Sequence, residues 1–385
     1  MRATTSAPQV AVQVAEAVVF SGPPLSEVLP NFLDLMTKDQ GWKGQTLAQN
    51  STTYRMFQQV CGDRPVQAYR RTDLAIFYDT LRGLPSMYSR KAEWHDMPLQ
   101  AIVEATCDLD VERLTMKTMK RHFSALGRLF SYLKRRGAYV GDNPAHGFEF
   151  PSKGRSLSER TGWKGEKLTK LFASPVWAGC LSAARRTKPG SEVVKDEKYW
   201  LPILGLYHGN RLEEFAQLLR SDIRFDHDIW YFDINDEEMK QLKNEQSIRR
   251  VPIHPTVKSL GFLEYVEAVA PMPTQRIFPQ LEPGGPDKKL GFYFSKWFSR
   301  YRQDVGIYER GLDYHSLRHS VTTKLFSMSV EEYLIDELTG HAGGGISRRK
   351  YKADGEIPLS ALYGAICKIE WPEVSFGKKL QLKTA

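Results

Sequence analysis

A long amphipathic helix followed by a break in the helical pattern constrains the fold of this chain most strongly. Between Leu114 and Arg136, apolar residues recur every three or four positions and form a single stripe. Gly137 is expected to end this helix. The segment 141–155 is rich in glycine and proline and breaks the pattern, which predicts a linker with a domain boundary near Pro151. The stripe consists of Met116, Met119, Phe123, Leu126, Phe130 and Leu133.

The break divides the 385 residues into two domains of ordinary size. Residues 1–24 read as an N-terminal arm, 25–150 as a helical domain, and 151–385 as a second domain. Within the second domain, the β-branched and aromatic runs Ile229–Ile234 and Ile248–Ile253 predict a hairpin among helices. The predicted fold class is therefore mainly α with a small β-sheet.

The charge balance favours a polyanionic partner. The formal net charge is +9, and clustered cations gain affinity for nucleic acid by releasing phosphate counterions. Lys117, Lys120, Arg121 and Arg128 lie off the apolar stripe and are candidate DNA-binding residues, although a merely solvated face is an equal alternative.

Cysteine use and hydropathy indicate a cytoplasmic protein. The four cysteines are scattered without paired CxxC spacing, which is typical of reduced thiols rather than of a zinc site or a disulfide scaffold. No apolar stretch approaches the length of a membrane span, so no membrane partner is expected.

Two histidines and two arginines carry the chemistry that the sequence suggests. His315 and Arg318 are three residues apart and share a helix face, with His319 beside them. His315 and His319 have the spacing of a zinc pair, but no glutamate of an HExxH motif accompanies them, and each histidine alone would be a structural residue. Arg211 follows a Gly-Asn turn at a predicted helix start. Two such guanidinium groups can neutralise the charge of a phosphoryl-transfer transition state.

Phosphoryl transfer also needs a nucleophile and an acid. Tyr351 lies among basic residues that favour its phenolate, although a lone tyrosine is usually a packing residue. Lys243, near the tip of the predicted hairpin, could protonate a leaving oxygen, or it is simply an exposed turn lysine. Gly340 and Gly345 have Walker-like spacing, but Ile346 replaces the lysine, so no ATP use is expected.

Taken together, these motifs resemble the tyrosine recombinases, the phage integrase family. GNRLEEFAQLLRSDI is similar to the first arginine box, and KNEQSIRRVPIHP to the lysine hairpin. YHSLRHSVTTKL is similar to the HxxRH box, and LTGH followed by RRKYK to the final histidine and the nucleophile. The 114–136 helix and the following DNPAHGFEFP resemble the family's helical core-binding domain and its exit.

The resemblance implies a SAM-like core-binding domain, a catalytic domain, and a site-specific recombinase that needs no metal, ATP or other cofactor. Tyr351 would form a 3′-phosphotyrosyl link, Lys243 would be the general acid and Glu214 would support the site. The implied partners are double-stranded DNA, further copies of the chain in a homotetramer on two DNA sites, and accessory DNA-bending proteins. The residues around the phosphate would be Arg211, His315, Arg318 and His341.

Three questions stay open at the level of sequence. A type IB topoisomerase shares this chemistry, and a DNA-binding protein that has lost catalysis shares the fold. A short apolar stripe after Pro358, formed by Leu359, Leu362, Ile366 and Ile369, would dock either on a neighbouring subunit, as in the family, or on its own domain.

Overall fold

The computed structural model describes residues 22–151, 162–237, 240, 247–341 and 357–376. The chain divides into two compact units, Met1–Arg155 and Ser156–Ala385, a division that lies five residues after the boundary expected from the sequence. Helices dominate, and one small antiparallel sheet lies in the second unit, which confirms the predicted fold class.

The first unit is built around the predicted amphipathic helix. That helix begins after Thr115, whose Oγ1 accepts the N–H of Thr118 (3.2 Å), and the predicted apolar stripe is buried except for Met116, which is half-buried. Aromatic side chains from the other helices pack against Phe130 and Phe123. The helices are α1 (Leu25–Lys38), α2 (Gly44–Cys61), α3 (Arg71–Gly83), α4 (Leu99–Ala105) and α5 (Met116–Arg135).

Residues 143–150 pack on the first unit instead of forming an open connection. Phe148 and Phe150 lie 4.7 and 5.2 Å from Phe123, ring centroid to ring centroid. Arg71 donates to the carbonyl of Gly147 (3.1 Å). The glycines and prolines of this segment do break the helix, but its aromatic residues supply apolar area that the helical core covers.

The sheet of the second unit has the order β1–β2–β3, with both pairs antiparallel. The strands are β1 (Ile223–Asp226), β2 (Ile229–Ile234) and β3 (Arg249–Pro252), so the predicted β2–β3 pairing is confirmed. β1 was not predicted, because it has only four residues and two of them are charged. A tight turn joins it to β2 through His227 and Asp228, which both have positive φ, as the twist of a two-residue hairpin requires.

A buried helix, α8, forms the centre of the second unit. It runs from Glu197 to His208, after Asp196 accepts the N–H of Lys198 (3.0 Å). Gly205 allows close packing, since a Cβ there would lie 3.0 Å from Cζ of Tyr314 in the helix that carries the HSLRH motif. The helices around α8 are α6 (Gly165–Phe172), α7 (Pro175–Ala178), α9 (Leu212–Ala216), α10 (Pro255–Ser259), α11 (Phe262–Val269), α12 (Gly291–Asp304), α13 (Tyr314–Ser327), α14 (Glu332–Thr339) and α15 (Leu359–Ile366).

The apolar stripe near the C-terminus docks on its own unit. Leu362, Ile366 and Ile369 belong to the core of the second unit. Beyond α15, Nε2 of His254 lies 3.0 Å from the carbonyl oxygen of Ile369, and Trp371 donates its indole N–H to Leu206 (3.2 Å). Of the two alternatives left open by the sequence, the structure shows docking within the chain.

Among the described residues, no helix combines the length and apolar character that crossing a bilayer requires.

Candidate active site

Arg211 is held at the start of α9. The preceding helix α8 ends at His208, and the following Gly209 has a φ of +70° that lets the chain turn into the next helix. Glu214 then accepts the backbone N–H of Arg211 at Oε2 (2.9 Å) and its guanidinium Nη1 at Oε1 (2.6 Å). The carboxylate therefore caps the helix and orients the arginine at once.

Arg318 is buried on α13, which begins after Asp313 accepts the N–H of Ser316 (2.9 Å). Its Nη1 donates to the carbonyls of Gly209 (3.0 Å) and Thr339. Burial and the charge of Arg211 lower the pKa of Arg318 to about 9, which leaves it cationic at neutral pH. Its Nη2 is also buried, yet no acceptor for it lies among the described residues.

Both arginines bind the C-terminal end of α14. Nη2 of Arg211 donates to the carbonyl of Gly340 (2.8 Å), and Arg318 donates to the carbonyl of Thr339. The last carbonyls of a helix have no partner within it and carry partial negative charge, so they suit guanidinium groups. This helix end therefore sets the positions of two cations that are far apart in sequence.

His341, directly after Gly340, is held as a neutral ring with one defined tautomer. The hydroxyl of Thr339 donates to the carbonyl of Ile335 (2.6 Å), so its oxygen accepts from Nδ1 of His341 (2.8 Å). Nδ1 consequently carries the proton and Nε2 carries the lone pair. Burial, followed by the charges of Arg318 and Arg211, lowers the pKa of His341 to about 4.

His315 and His319 lie on α13 close to the same place. Their rings meet edge to face with centroids 5.3 Å apart, and both contribute to the lowered pKa of His341. Among the described residues, no group of three or more His, Cys, Asp or Glu side chains is arranged so that it could hold a metal ion. His319 was not among the predicted site residues, but it lies in the same cluster as His315 and His341.

Arg249, the first residue of β3, was not predicted as a site residue. Its side chain is fully buried and donates to Oε2 of Glu214 (2.8 Å). Burial would raise the pKa of Glu214, but Arg249 and Arg211 together lower it below its ordinary value, so the carboxylate is charged. An arginine at the start of a predicted strand was the available signal, but sequence alone does not show that RRVP begins with an inward side chain.

Lys243 and Tyr351 lie outside the described residues, so their roles stay predictions. The neighbouring Lys240 is described. Its Nζ donates to Oδ1 of Asp222 (2.7 Å) and to Oδ1 of Asn235 (2.8 Å), and its side chain is 6% exposed. Because Lys240 is committed to this buried ion pair, Lys243 remains the better candidate for the acid.

The predicted DNA-binding residues share an exposed face of α5 in the first unit. Lys117, Arg121 and Arg128 follow one another at intervals of four and seven residues, which places them on one side of the helix, and Lys120 flanks them. Nη2 of Arg128 donates to Oδ1 of Asn50 (2.9 Å). An open cavity of about 920 Å³ adjoins this face, and its lining includes Lys120, Phe123, Arg128, Arg135, Arg136 and Phe148.

Comparison with known proteins agrees with this fold. Residues 197–355 match the phage integrase family. The structure of a lambda integrase (75–356) dimer bound to a COC′ core site has a TM-score of 0.53 at 14% identity, covering 87% of this chain and 99% of that one. The structure of the Tn1549 transposon integrase in complex with transposon right end DNA has a TM-score of 0.54 at 12% identity, covering 86% of this chain and 96% of that one. The structure of the XerH site-specific recombinase bound to a palindromic difH substrate has a TM-score of 0.51 at 17% identity, covering 80% of this chain and 76% of that one. No curated protein matches the sequence.

The matched segment contains every residue of the arginine and histidine cluster, so the second unit carries a phage integrase family domain. For this segment, the family match confirms the resemblance to the tyrosine recombinases seen in the sequence.

Proposed function

We propose that this protein is a site-specific DNA recombinase that cleaves and rejoins DNA through a 3′-phosphotyrosyl intermediate. The observation that carries the proposal is the pair of guanidinium groups on the end of α14. Arg211 and Arg318 are preorganised by fixed carbonyls, and a buried donor of Arg318 has no acceptor among the described residues. A non-bridging phosphate oxygen is the ligand that such a donor suits.

The two arginines would stabilise the transition state. Charge on the non-bridging oxygens grows as the phosphate becomes five-coordinate, and each preorganised donor is typically worth about 100- to 1,000-fold in rate. Because the donors are already held in place, little reorganisation is needed when the phosphate binds. His315 would add a further hydrogen bond from the same helix face.

The nucleophilic step would use Tyr351 and His341. The phenolic oxygen forms a bond to phosphorus while the bond to the 5′ oxygen breaks, and Nε2 of the neutral His341 ring accepts the phenolic proton. Lys243 protonates the departing 5′ oxygen. One phosphodiester replaces another of similar energy, so a 5′ hydroxyl from a partner strand can reverse the attack without any nucleotide cofactor.

The basic face of α5 would bind the duplex in the first unit. Lys117, Lys120, Arg121 and Arg128 provide the counterion-releasing contacts that fix register on the phosphate backbone. Binding of each unit to double-stranded DNA agrees with the DNA-bound structures of the neighbours named above. A tetramer on two sites is the assembly we propose, supported by similarity to the structure of a lambda integrase tetramer bound to a Holliday junction, with a TM-score of 0.52 at 14% identity.

Covalent trapping on DNA tests the proposal. The full chain is incubated with sheared genomic DNA from its source, denatured, and the DNA attached to protein is sequenced. We expect an enriched sequence with the unmodified protein and no adduct with Tyr351→Phe. Tyr308→Phe is the matched control, since Tyr308 is 50% exposed and lies outside the arginine cluster. An adduct that persists in Tyr351→Phe would refute the assigned nucleophile.

A second assay separates recombination from relaxation. A supercoiled plasmid carrying two copies of the enriched sequence should yield recombinant circles. Relaxed plasmid without recombinants would instead identify a topoisomerase, and binding without any adduct would identify a DNA-binding protein that lacks catalysis.

A further inference from the structure

Arg249 occupies a position that neither the sequence motifs nor the proposed chemistry explains. Its side chain is 0% exposed, so it cannot touch DNA directly. It donates to Oε2 of Glu214 (2.8 Å) and to the carbonyls of Ser247 (2.7 Å) and Leu338 (3.3 Å). These acceptors come from α9, from the residues just before β3, and from α14. A buried guanidinium is costly unless its donors are satisfied, and here they bind three separate segments.

Glu214 transmits the position of Arg249 to Arg211. One carboxylate oxygen accepts Nη1 of Arg211 (2.6 Å), while the other accepts both Nη2 of Arg249 (2.8 Å) and the backbone N–H of Arg211 (2.9 Å). The buried carboxylate is therefore clamped between two guanidinium groups. Without Arg249, the carboxylate would lose one of these two guanidinium groups, and the geometry of its pair with Arg211 would no longer be determined from both sides.

Arg249 also lies against the helix end that binds both catalytic arginines. A Cβ placed on Gly340 would be 2.7 Å from Cζ of Arg249, so the two groups are in close contact. The carbonyl of the same glycine accepts Nη2 of Arg211 (2.8 Å), and the carbonyl one residue earlier accepts Arg318. The guanidinium of Arg249 thus fills the space between β3, α9 and the end of α14.

We propose that Arg249 is a positioning residue, which holds Glu214 and the C-terminal end of α14 so that Arg211 and Arg318 are preorganised for the scissile phosphate. The inference rests on the proposed strand-cleavage function. This positioning role requires the planar guanidinium group with its several directed N–H donors, because an ammonium group is a point charge that cannot reach all three acceptors in the same geometry.

The chain supplies a closely matched control in Arg186. Its side chain is 5% exposed, pairs with one carboxylate, that of Asp196, and donates to the carbonyls of Val194 (3.0 Å) and Ala183 (3.1 Å). It lies in the same unit, but none of these partners belongs to the arginine and histidine cluster. Replacing Arg186 therefore removes a buried ion pair of the same kind without touching the proposed positioning contacts.

The test compares Arg249→Met, Arg249→Lys and Arg186→Met in the full chain. The probe is a nicked duplex carrying the sequence recovered by covalent trapping, at saturating concentration and below each variant's unfolding temperature. We expect Arg249→Met to form the covalent adduct at least about 100-fold more slowly, with DNA affinity changed by about twofold or less. Arg186→Met should lose comparable stability yet cleave within about twofold of the unmodified protein.

Arg249→Lys separates positioning from folding. It should recover most of the stability lost in Arg249→Met but remain at least about tenfold slow in cleavage. If Arg249→Met does not fold, the lysine variant alone decides the matter. Recovery of both stability and cleavage with lysine, or equal cleavage losses in Arg249→Met and Arg186→Met, would show that Arg249 has only a structural role.

The pH profile provides a readout that a general loss of stability would not change. Glu214 is faced by Arg211 on its own helix, by Arg249 from β3, and by Tyr314 and Arg318 from α13. Removal of Arg249 takes away the charge that contributes most to lowering the pKa of this buried carboxyl. Cleavage by Arg249→Met should therefore fall at acidic pH where the unmodified protein shows no such fall.

Adding Glu214→Gln to Arg249→Met should abolish that acid dependence, and an unchanged acid limb would overturn its assignment to Glu214. If the unmodified protein and Arg186→Met form no adduct at all, the proposed function itself fails and this inference fails with it. If both form the adduct normally and Arg249→Met does too, only the role of Arg249 is refuted.

Discussion

Gly340→Ala tests whether the end of α14 positions the two arginines. Gly340 has a φ of +67°, and a Cβ there would lie 2.7 Å from both Cζ and Nη1 of Arg249. The substitution therefore adds two separate costs, backbone strain and displacement of a buried guanidinium. Gly306, in the same unit, separates them, because it has a φ of +72° but a Cβ added there would meet no atom within 4 Å.

The magnitudes follow from these two environments. A non-glycine residue in the left-handed region costs about 1–2 kcal/mol, so Gly306→Ala should lower the free energy of unfolding by that amount. Breaking a buried ion pair costs about 3–5 kcal/mol, and partial displacement of Arg249 from Glu214 should cost part of this. We therefore expect Gly340→Ala to lower the free energy of unfolding by about 2–4 kcal/mol in total.

Cleavage should separate the two variants further. A displacement of about 1 Å at a positioning group typically costs about 100-fold in rate, so Gly340→Ala should cleave at least that much more slowly. Gly306→Ala should cleave at the normal rate when folded. Urea unfolding and covalent-adduct kinetics on the nicked duplex measure both quantities. Equal stability losses together with equal cleavage rates would refute the idea that this helix end controls the site.

Three further predictions concern other parts of the chain. In the folded protein burial lowers the pKa of His208 to about 3 and of His254 to about 4, from 6.5, so protonation favours unfolding. The contribution of these histidines to the free energy of unfolding should be fully present above about pH 6.5 and should fall on acidification by up to about 1.4 kcal/mol per pH unit per histidine. A free energy of unfolding in urea that does not change between about pH 7.5 and 5 would contradict this. Arg128→Ala should reduce the salt dependence of DNA affinity by about one unit of log–log slope, whereas Arg82→Ala, at an exposed position of α3 in the same unit, should not; equal slopes in a salt titration would argue against that face. Arg318→Lys should slow adduct formation at least about 100-fold, since one ammonium cannot reach two carbonyls and a phosphate together, and near-normal rates would show that charge alone suffices.

Much of the fold could be predicted because its signals are local. The apolar stripe of α5 repeats at the helical period, and the β2–β3 strands carry aromatic and β-branched residues, so each element is recognisable without its neighbours. Strand β1 is not predicted from the sequence, because its four residues, two of them charged, show no clear alternation of apolar and polar side chains. Residues 143–150 were assigned to a linker because glycine and proline break a helix, and local sequence does not show that Phe148 and Phe150 find a core to cover them.

The candidate site shows the same division. Arg211, Arg318 and His315 could be selected from residue type and spacing, since phosphate chemistry needs cations at helix starts and on one helix face. The C-terminal stripe could likewise be recognised as apolar, but its docking on its own unit depends on the surface available to it, which is a tertiary property.

The sequence by itself determined which residue types are present at which intervals, and with them the helical class, the basic face of α5 and the four motifs that resemble those of the tyrosine recombinases. Only the tertiary structure decided that the end of α14 binds both arginines, that His341 is neutral with its proton on Nδ1, and that Arg249 clamps Glu214. The physical reason is that spacing along the chain specifies local geometry, whereas burial, hydrogen-bond partners and pKa depend on groups that folding brings from distant segments.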